Sequence, residues 1–423
     1  MKAVSIVVKE WLQEIMMKNN RREFMKKSTQ NAALASVLVS IGSHSILGAN
    51  ERIRLGGIGV GDRGQDRLRA AMKFNAEAVA LCDVNQLMLE QAREKLGGTA
   101  ELYKEHEKLL ERNDIDAVVL ATPDHWHHDI FLDAMAAEKD AYQEKPLSHT
   151  IEEGASMVKA AKKTDRVVQI GNHRRSGTHW HEAFKAIKEG VIGEVKWVRT
   201  YDCRNFSNGD PYQIRGRNKA LYDPEKIDWK RFLGKAPQKP YSSDRASAWR
   251  WFWDYAGGLL TDIGAHNIDV AMWMSDCLDI QSVVSNGGVY HLDFWETPDV
   301  AHTTMDCGTF SIDFSVQFLN GYDGYGHSIF GTKGAVIQSD QDNFVRIYSQ
   351  DDRSKSIAEW EMNNEGDAHM ANFLDCVKSR AKTNSPIETA NRVITACQLS
   401  NMAYRLNKKI YWDAQKNRIH PAS

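Results

Sequence analysis

Between Ile53 and Gly171, short apolar runs alternate with stretches in which apolar residues recur at helical spacing. Ile53–Ile58, Ala76–Asp83, Ile115–Ala121, Asp140–Gln143 and Val167–Gly171 read as strands. Gln65–Phe74, Lys104–Asn113, Ile130–Glu138 and Ile151–Lys163 read as the helices between them. Strand following helix in this rhythm predicts a parallel, doubly wound α/β sheet with helices on both faces.

Past residue 172 the pattern changes. A helix over His179–Glu189 precedes β-rich or alternating runs at Val195–Arg204, Ile280–Tyr290, Thr309–Leu319, His327–Phe330 and Phe344–Ser349. Such runs suit an open-faced, largely antiparallel sheet with helices on its covered side, an α+β domain. Trp229–Tyr255 is dense in aromatics, read as packing, with one or two rings free to stack on a sugar. Helices near His369–Ser379 and Ala390–Leu406 close the chain, before Lys409-Ile410-Tyr411-Trp412. The expected division is a leader over 1–49, a first domain over 50–172, a second over 173–385, and a helix and tail over 386–423 that pack back on the body.

Composition narrows the function. The net charge of −2 over 423 residues hides an asymmetry: residues 1–49 carry +4, leaving −6 on the rest, which argues against nucleic acid as partner. The six cysteines include no C-x-x-C pair, so neither a zinc site nor a disulfide framework is indicated. Asn20-Arg21-Arg22-Glu23-Phe24-Met25-Lys26-Lys27, the short apolar run Asn31–Gly42 and a small residue at Ala49 have the form of an export signal, with paired arginines like those of the twin-arginine route. The expectation is a periplasmic protein; the alternative is a cytoplasmic protein with a basic amphipathic helix. The apolar run is too short for a permanent anchor, so no integral membrane segment is expected in the mature form.

Gly59-Val60-Gly61-Asp62-Arg63-Gly64 sits between a strand and a helix, and Asp83 ends the next strand 24 residues after Gly59. In a dinucleotide-binding turn Gly59 makes the bend, Gly61 admits the pyrophosphate and Gly64 packs helix on strand. The phosphates lie at the helix N-terminus. Asp83 at that distance binds a ribose 2′-hydroxyl and favours NAD; Arg63 beside it leaves NADP open. This is a Rossmann domain. Thr122-Pro123-Asp124-His125-Trp126-His127-His128 leaves the carboxyl end of a strand, where such sheets bind ligands. Its histidines stand near no carboxylate or cysteine at ligand spacing, so no metal is assigned; His125 and His127 are expected to cap the following helix and wall the nicotinamide pocket. Glu144-Lys145-Pro146 ends another strand on that edge. A glycine-led helix, Gly257 to Asp269, spaces Asp262, His266 and Asp269 along one face. Lysine, aspartate and histidine together are the parts that take a proton from an alcohol.

These motifs resemble those of the glucose–fructose oxidoreductase/inositol dehydrogenase (Gfo/Idh/MocA) family, over essentially all of Arg52–Trp412. The resemblance rests on Gly59–Gly64, Cys82-Asp83, Thr122-Pro123, Glu144-Lys145-Pro146 and Asp262-x-x-x-His266. It implies NAD(P), hydride exchange at a sugar-type carbinol, and a second-domain sheet that commonly forms the oligomer, here a dimer or tetramer. His266 resembles the family's acid/base, Asp262 the group that orients it and raises its pKa, and Lys145 the lysine on the reacting oxygen and nicotinamide ribose. Asn172, Arg174 and Asp269 are matched to substrate or cofactor contacts. The reading is an NAD(P)-dependent oxidoreductase acting on a sugar or glycoside ring carbon, C3 among the options, with a tightly held cofactor. The alternative is a redox-neutral, NAD-dependent glycosidase like the family's exported N-acetylgalactosaminidases. Those relatives typically lack the lysine that this chain carries as Lys145.

Overall fold

The structure is a computed structural model that describes residues 52–205 and 219–420. The proposed export signal therefore lies outside the described residues.

Six strands form the first sheet: β1 (Ile53–Ile58), β2 (Ala76–Cys82), β3 (Glu101–Tyr103), β4 (Ala117–Leu120), β5 (Asp140–Gln143) and β6 (Val168–Ile170). They run parallel in the order β3-β2-β1-β4-β5-β6, so the strand order reverses between β1 and β4. That reversal opens a crevice at the carboxyl ends of the strands, where such sheets bind ligands. The period-2 geometry is plain in β4: Val118 and Leu120 enter one apolar core, Ala117 and Val119 the other. A strand buried on both faces needs a continuous apolar run, which is how the sequence reads there.

The second sheet has ten strands. They are β7 (Val195–Cys203), β8 (Ser282–Gly288), β9 (Val300–Asp306), β10 (Ser311–Gln317), β11 (Tyr325–Gly331), β12 (Gly334–Ser339), β13 (Phe344–Ser349), β14 (Ser356–Glu361), β15 (Ile410–Asp413) and β16 (Arg418–Ile419). The order is β14-β13-β12-β11-β7-β10-β9-β8-β15-β16, antiparallel except for the parallel pair β7–β10. One face is covered. Ala301 and Met305 of β9 and Ile312, Phe314 and Val316 of β10 are buried beneath it. The other face is open and carries Trp197, stacked on Phe330 with centroids 4.7 Å apart.

The two sheets share helices, because the chain recrosses after residue 172. Helix Glu365–Ser379 follows the second sheet in sequence, yet Met370, Phe373 and Leu374 complete the core on one face of the first sheet. Helix Ile387–Leu406 packs on helix Ile151–Ala161 of the first domain, on helix Gly264–Ser275 and on β8. Tail strand β15 extends the second sheet through Ile410 opposite Val283. The segment 219–256 folds over the first sheet's crevice, pinned by hydrogen bonds from Gln86 N to Lys226 O and from Asp228 N to Val84 O, both 2.9 Å. No helix among the described residues is long and apolar enough to cross a membrane.

Candidate active site

The crevice begins at the turn after β1. Gly59 has φ +78°, a conformation L side chains rarely adopt, and a Cβ there would lie 2.7 Å from the backbone of Ala121 and Thr122. At Gly64 a Cβ would lie 2.1 Å from the Gly59 carbonyl oxygen, so only glycine lets helix Asp62–Met72 approach the turn. Gly61 differs: a Cβ there would meet nothing within 4 Å. It is the N-cap of that helix and no side chain caps it, so the first amides face open space. A concavity bounded by uncapped helix amides suits a pyrophosphate, so the residues present fit the dinucleotide implied by the motif. Asp83 accepts from Val60 N at 2.9 Å and Asn85 N at 2.8 Å, which holds its carboxylate at the rim of the turn. Asp62, Arg63, Thr122 and Pro123 line the same crevice, and the buried Thr122 Oγ1 has no protein hydrogen-bond partner. Across from them stand Tyr222, Ile227, Phe232, Trp249 and Arg250 of the covering segment.

The histidines after Pro123 take another place than expected. They lie inside the first turn of helix Asp124–Ala136, whose N-cap, Pro123, receives no side-chain hydrogen bond, so they do not cap it. His125 Nε2 lies 2.8 Å from Phe232 O, and its ring packs on Phe232 and Tyr255. His127 is 1% exposed, with Nδ1 2.7 Å from Pro146 O and Nε2 3.0 Å from Thr122 O. Burial pushes both imidazoles down to about 4, so they are neutral. His127 packs between the Thr122 loop and the Lys145 loop and, as a neutral ring with one N–H, donates to one of these two carbonyls, while His125 anchors the covering segment. Glu144 also turns inward, 7% exposed, toward Tyr142 and Arg67.

Lys145, Asp262 and His266 do come together. A capping box at Thr150 and Glu153 fixes the helix that follows the Lys145 loop. Gly258, at φ +64° with Thr297 2.4 Å from where a Cβ would stand, starts the short helix Leu259–Asp262. Ile263 then separates it from helix Gly264–Ser275, so the single helix expected over this stretch is two pieces in series. Lys145 Nζ donates to Asp262 Oδ1 at 2.8 Å and to Asp262 O at 2.7 Å. Arg250 Nε donates to the same Oδ1 at 3.1 Å. Asp124 is buried close by, and burial, then Asp262, holds its carboxyl well above the usual range.

His266 sits beside this cluster. Its ring meets His173 edge-on, centroids 4.7 Å apart, and its buried Nδ1 has no protein hydrogen-bond partner. Asp262 was expected to raise the pKa of His266. The net shift is the reverse: burial first, then Lys145, His173 and Arg174, hold it well below the ordinary histidine value. The physical reason is that Asp262 already faces two cations, so its charge reaches the imidazole largely compensated. The ring is neutral and so can accept a proton, and the same lowering makes it a weaker base than a free histidine.

The residues matched to substrate contacts divide. Arg174 lines a second cleft of about 580 Å³ with His173, Trp180, Arg204, Tyr325 and Asp340, and donates to Asn267 Oδ1 at 2.9 Å and His327 Nε2 at 2.5 Å. Asn172 is buried and donates to Ala265 O at 2.7 Å, which ties the start of the His266 helix to the end of β6. Asp269 is 1% exposed and paired with Arg175 at 2.6 Å, away from the cleft surface. The sequence reading missed Arg250, His173 and Asp124. Arg250 was hidden among tryptophans read as packing; an arginine flanked by Trp249 and Trp251 was the available signal.

Comparison with known proteins bears on the family and the fold. Residues 53–172 match the Gfo/Idh/MocA oxidoreductase family, NAD-binding Rossmann fold, and residues 177–290 match that family's C-terminal alpha/beta domain. A solved levoglucosan dehydrogenase, in complex with NADH and levoglucosan, superposes with a TM-score of 0.68 at 17% identity, covering 85% of this chain and 99% of that one. Glycosyl hydrolase family 109 protein 2 of Shewanella sp. strain ANA-3 is 29% identical over 201 residues, 42% of this chain and 44% of the relative. An alpha-N-acetylgalactosaminidase of Shewanella oneidensis is 29% identical over 157 residues, 34% of each. The chain thus spans less than half the length of the curated relatives it matches.

Proposed function

The chain belongs to the Gfo/Idh/MocA family of NAD-binding oxidoreductases, and from that premise we propose that it moves a hydride between a ring carbinol of a sugar or glycoside and a tightly held nicotinamide. The observation that carries this reading is the cluster of Lys145, Asp262 and His266, joined through Arg250 to the glycine-turn crevice and through His173 to the cleft of Arg174. NAD, when bound, supplies the hydride acceptor. The protein supplies the rest. His266 accepts the hydroxyl proton, and the ammonium of Lys145 stabilises the oxygen as it gains negative charge. Asp262 holds the ammonium in place through two acceptors on one residue. His173, Arg174 and Arg204 present hydrogen-bonding groups to sugar hydroxyls, and C3 of a pyranose is one candidate carbon.

The similarity to family 109 relatives favours one second reading, a redox-neutral glycosidase in which the same His266 chemistry begins an elimination. Lys145 in its intact pair favours net oxidoreduction. The test is to purify the protein, assay bound nicotinamide, and offer a glycoside panel while following both the reduced-nicotinamide absorbance and free sugar. Reduction lost in K145A and H266A supports the dehydrogenase; free sugar without net reduction supports the glycosidase. A protein that binds no nicotinamide overturns both.

Two further parts of the proposal concern setting. Export by the twin-arginine route to the periplasm rests on Arg21-Arg22 and the apolar run behind them. Fractionation of cells producing the full chain, beside an R21K/R22K variant, tests it; equal cytoplasmic retention of both removes it. Homo-oligomerisation, as dimer or tetramer, is supported by the open face of the second sheet, where Trp197, Val284 and Tyr411 are 38%, 44% and 40% exposed. Light scattering reads the mass, and a monomer at micromolar concentration rejects it.

A further inference from the structure

The six cysteines are scattered in sequence, but the fold brings two of them together. Cys277 Sγ and Cys307 Sγ lie 2.8 Å apart, against the ~2.04 Å of a disulfide bond. The approach is imposed by the backbone on both sides. Cys277 closes helix Gly264–Ser275, its amide bonded to Met272 O at 2.9 Å. Cys307 follows β9 directly, its amide bonded to Phe310 O at 3.0 Å in the turn to β10. Gln281 N donates to Asp306 O at 2.8 Å, and Ser282 pairs with Asp306 in the β8–β9 ladder, so the two stems are locked in register next to Cys307 and four residues after Cys277. Neither thiol needs to move far to bond.

We propose that Cys277 and Cys307 form a disulfide under oxidising conditions, a covalent clamp between the end of the His266 helix and the second sheet. Cys307 is the entry point, because it is partly exposed while Cys277 is 8% exposed; Cys277 and burial push the Cys307 thiol up, so the attack by its minor thiolate form is slow and quickens with pH. Its thiolate attacks one sulfur of a small-molecule disulfide such as oxidised glutathione, and one glutathione thiol leaves. The Cys277 thiolate then attacks the Cys307 sulfur and releases the second glutathione. Two protein thiols lose two protons and two electrons, and one oxidant disulfide becomes two thiols. The clamp sits at the far end of a 12-residue helix from His266, so it spares the chemistry. This inference is independent of the substrate.

The test incubates the purified full chain with oxidised glutathione under native conditions, alkylates it after denaturation, and maps peptides without reduction. The expected result is a peptide pair joined through Cys277 and Cys307, lighter by two hydrogens, with the other four cysteines alkylated. Closing a loop of this length is expected to raise Tm by about 5 °C, reversed by dithiothreitol. The link persists in C203S, the other partly exposed thiol, and is lost in C277S, where Cys307 retains a glutathione in mixed disulfide instead. Alkylation of both Cys277 and Cys307 in the oxidised wild-type protein, or glutathione retained separately on each, overturns the proposal; neither reading depends on a variant folding.

Discussion

Lys145 and Asp262, 117 residues apart, are joined by two hydrogen bonds, one to the carboxylate at 2.8 Å and one to the main-chain oxygen at 2.7 Å. Their side chains are 8% and 6% exposed, so the pair is held out of water, and Arg250 completes it from the covering segment. Removing one partner of a buried ion pair costs more than the pair itself contributes, because the survivor is left uncompensated. Asp262→Asn leaves Lys145 and Arg250 together without their counter-charge. It is expected to destabilise the fold by about 3 kcal/mol, read as the shift in urea midpoint at constant m. Lys145→Ala leaves Asp262 paired with Arg250, so it should keep most of its stability while turnover falls about 10²–10⁴-fold. An Asp262→Asn protein as stable as wild type would show that the pair is solvated.

Activity should hold on the acid side longer than a free histidine allows. The base form of His266 is the one that accepts a proton, and burial and Lys145 hold its pKa well below the usual range. In the alcohol-oxidising direction the acid limb of kcat/KM is therefore expected below the ordinary histidine value of about 6.5. Lys145→Met removes the cation with the largest effect on His266 and should move that limb upward in pH. An unmoved limb would assign it to another group.

The glycine turn separates binding from folding. Gly61→Ala adds a methyl into open space, so the protein without cofactor is expected to keep its Tm, while NAD affinity falls about tenfold or more as the methyl occupies the pyrophosphate's place. Gly59→Ala instead drives a Cβ into the backbone of Ala121 at an unfavourable φ and should lower Tm with or without cofactor. Calorimetric titration and thermal melts distinguish the two. Equal NAD affinity in Gly61→Ala would move the phosphates elsewhere.

Acid should unfold this protein early. His125, His127 and His369 are pushed down to about 4, and His173, His266 and His327 lie well below the ordinary value, each chiefly by burial. Between pH 6.5 and 4 the unfolded chain binds protons that the folded chain refuses, so stability falls as pH falls, by up to about 1.4 kcal/mol per pH unit for each such histidine. Asp124 and Asp269, held above the usual carboxylate range, act in the opposite sense but are fewer. Urea midpoints from pH 7.5 to 4.5 check this; a flat profile would contradict it.

Local signals in the chain determined five of the first sheet's six strands (the short edge strand β3 was not read), its glycine turn and the acid at the end of β2, because each depends on residues close in sequence: apolar runs, helical spacing, a bend only glycine makes. They also placed Lys145 at a strand end and put Asp262 and His266 one helical turn apart. Alternation was readable in β7, β8, β10, β11 and β13, while β9, β12 and β14 were not read as strands; their edges are settled by pairing partners, not by their own composition. Tertiary structure alone decided the rest. Helix Glu365–Ser379 crosses back to the first sheet because Phe373 and Leu374 fill a core that sequence order assigns to another domain. Burial and the approach of Lys145, His173 and Arg174, drawn from two separate stretches, override Asp262 and hold the pKa of His266 down. Arg250 faces Asp262 rather than solvent, and two cysteines 30 residues apart come within 2.8 Å. Desolvation and through-space charge depend on which distant segments meet, and no local pattern carries that information.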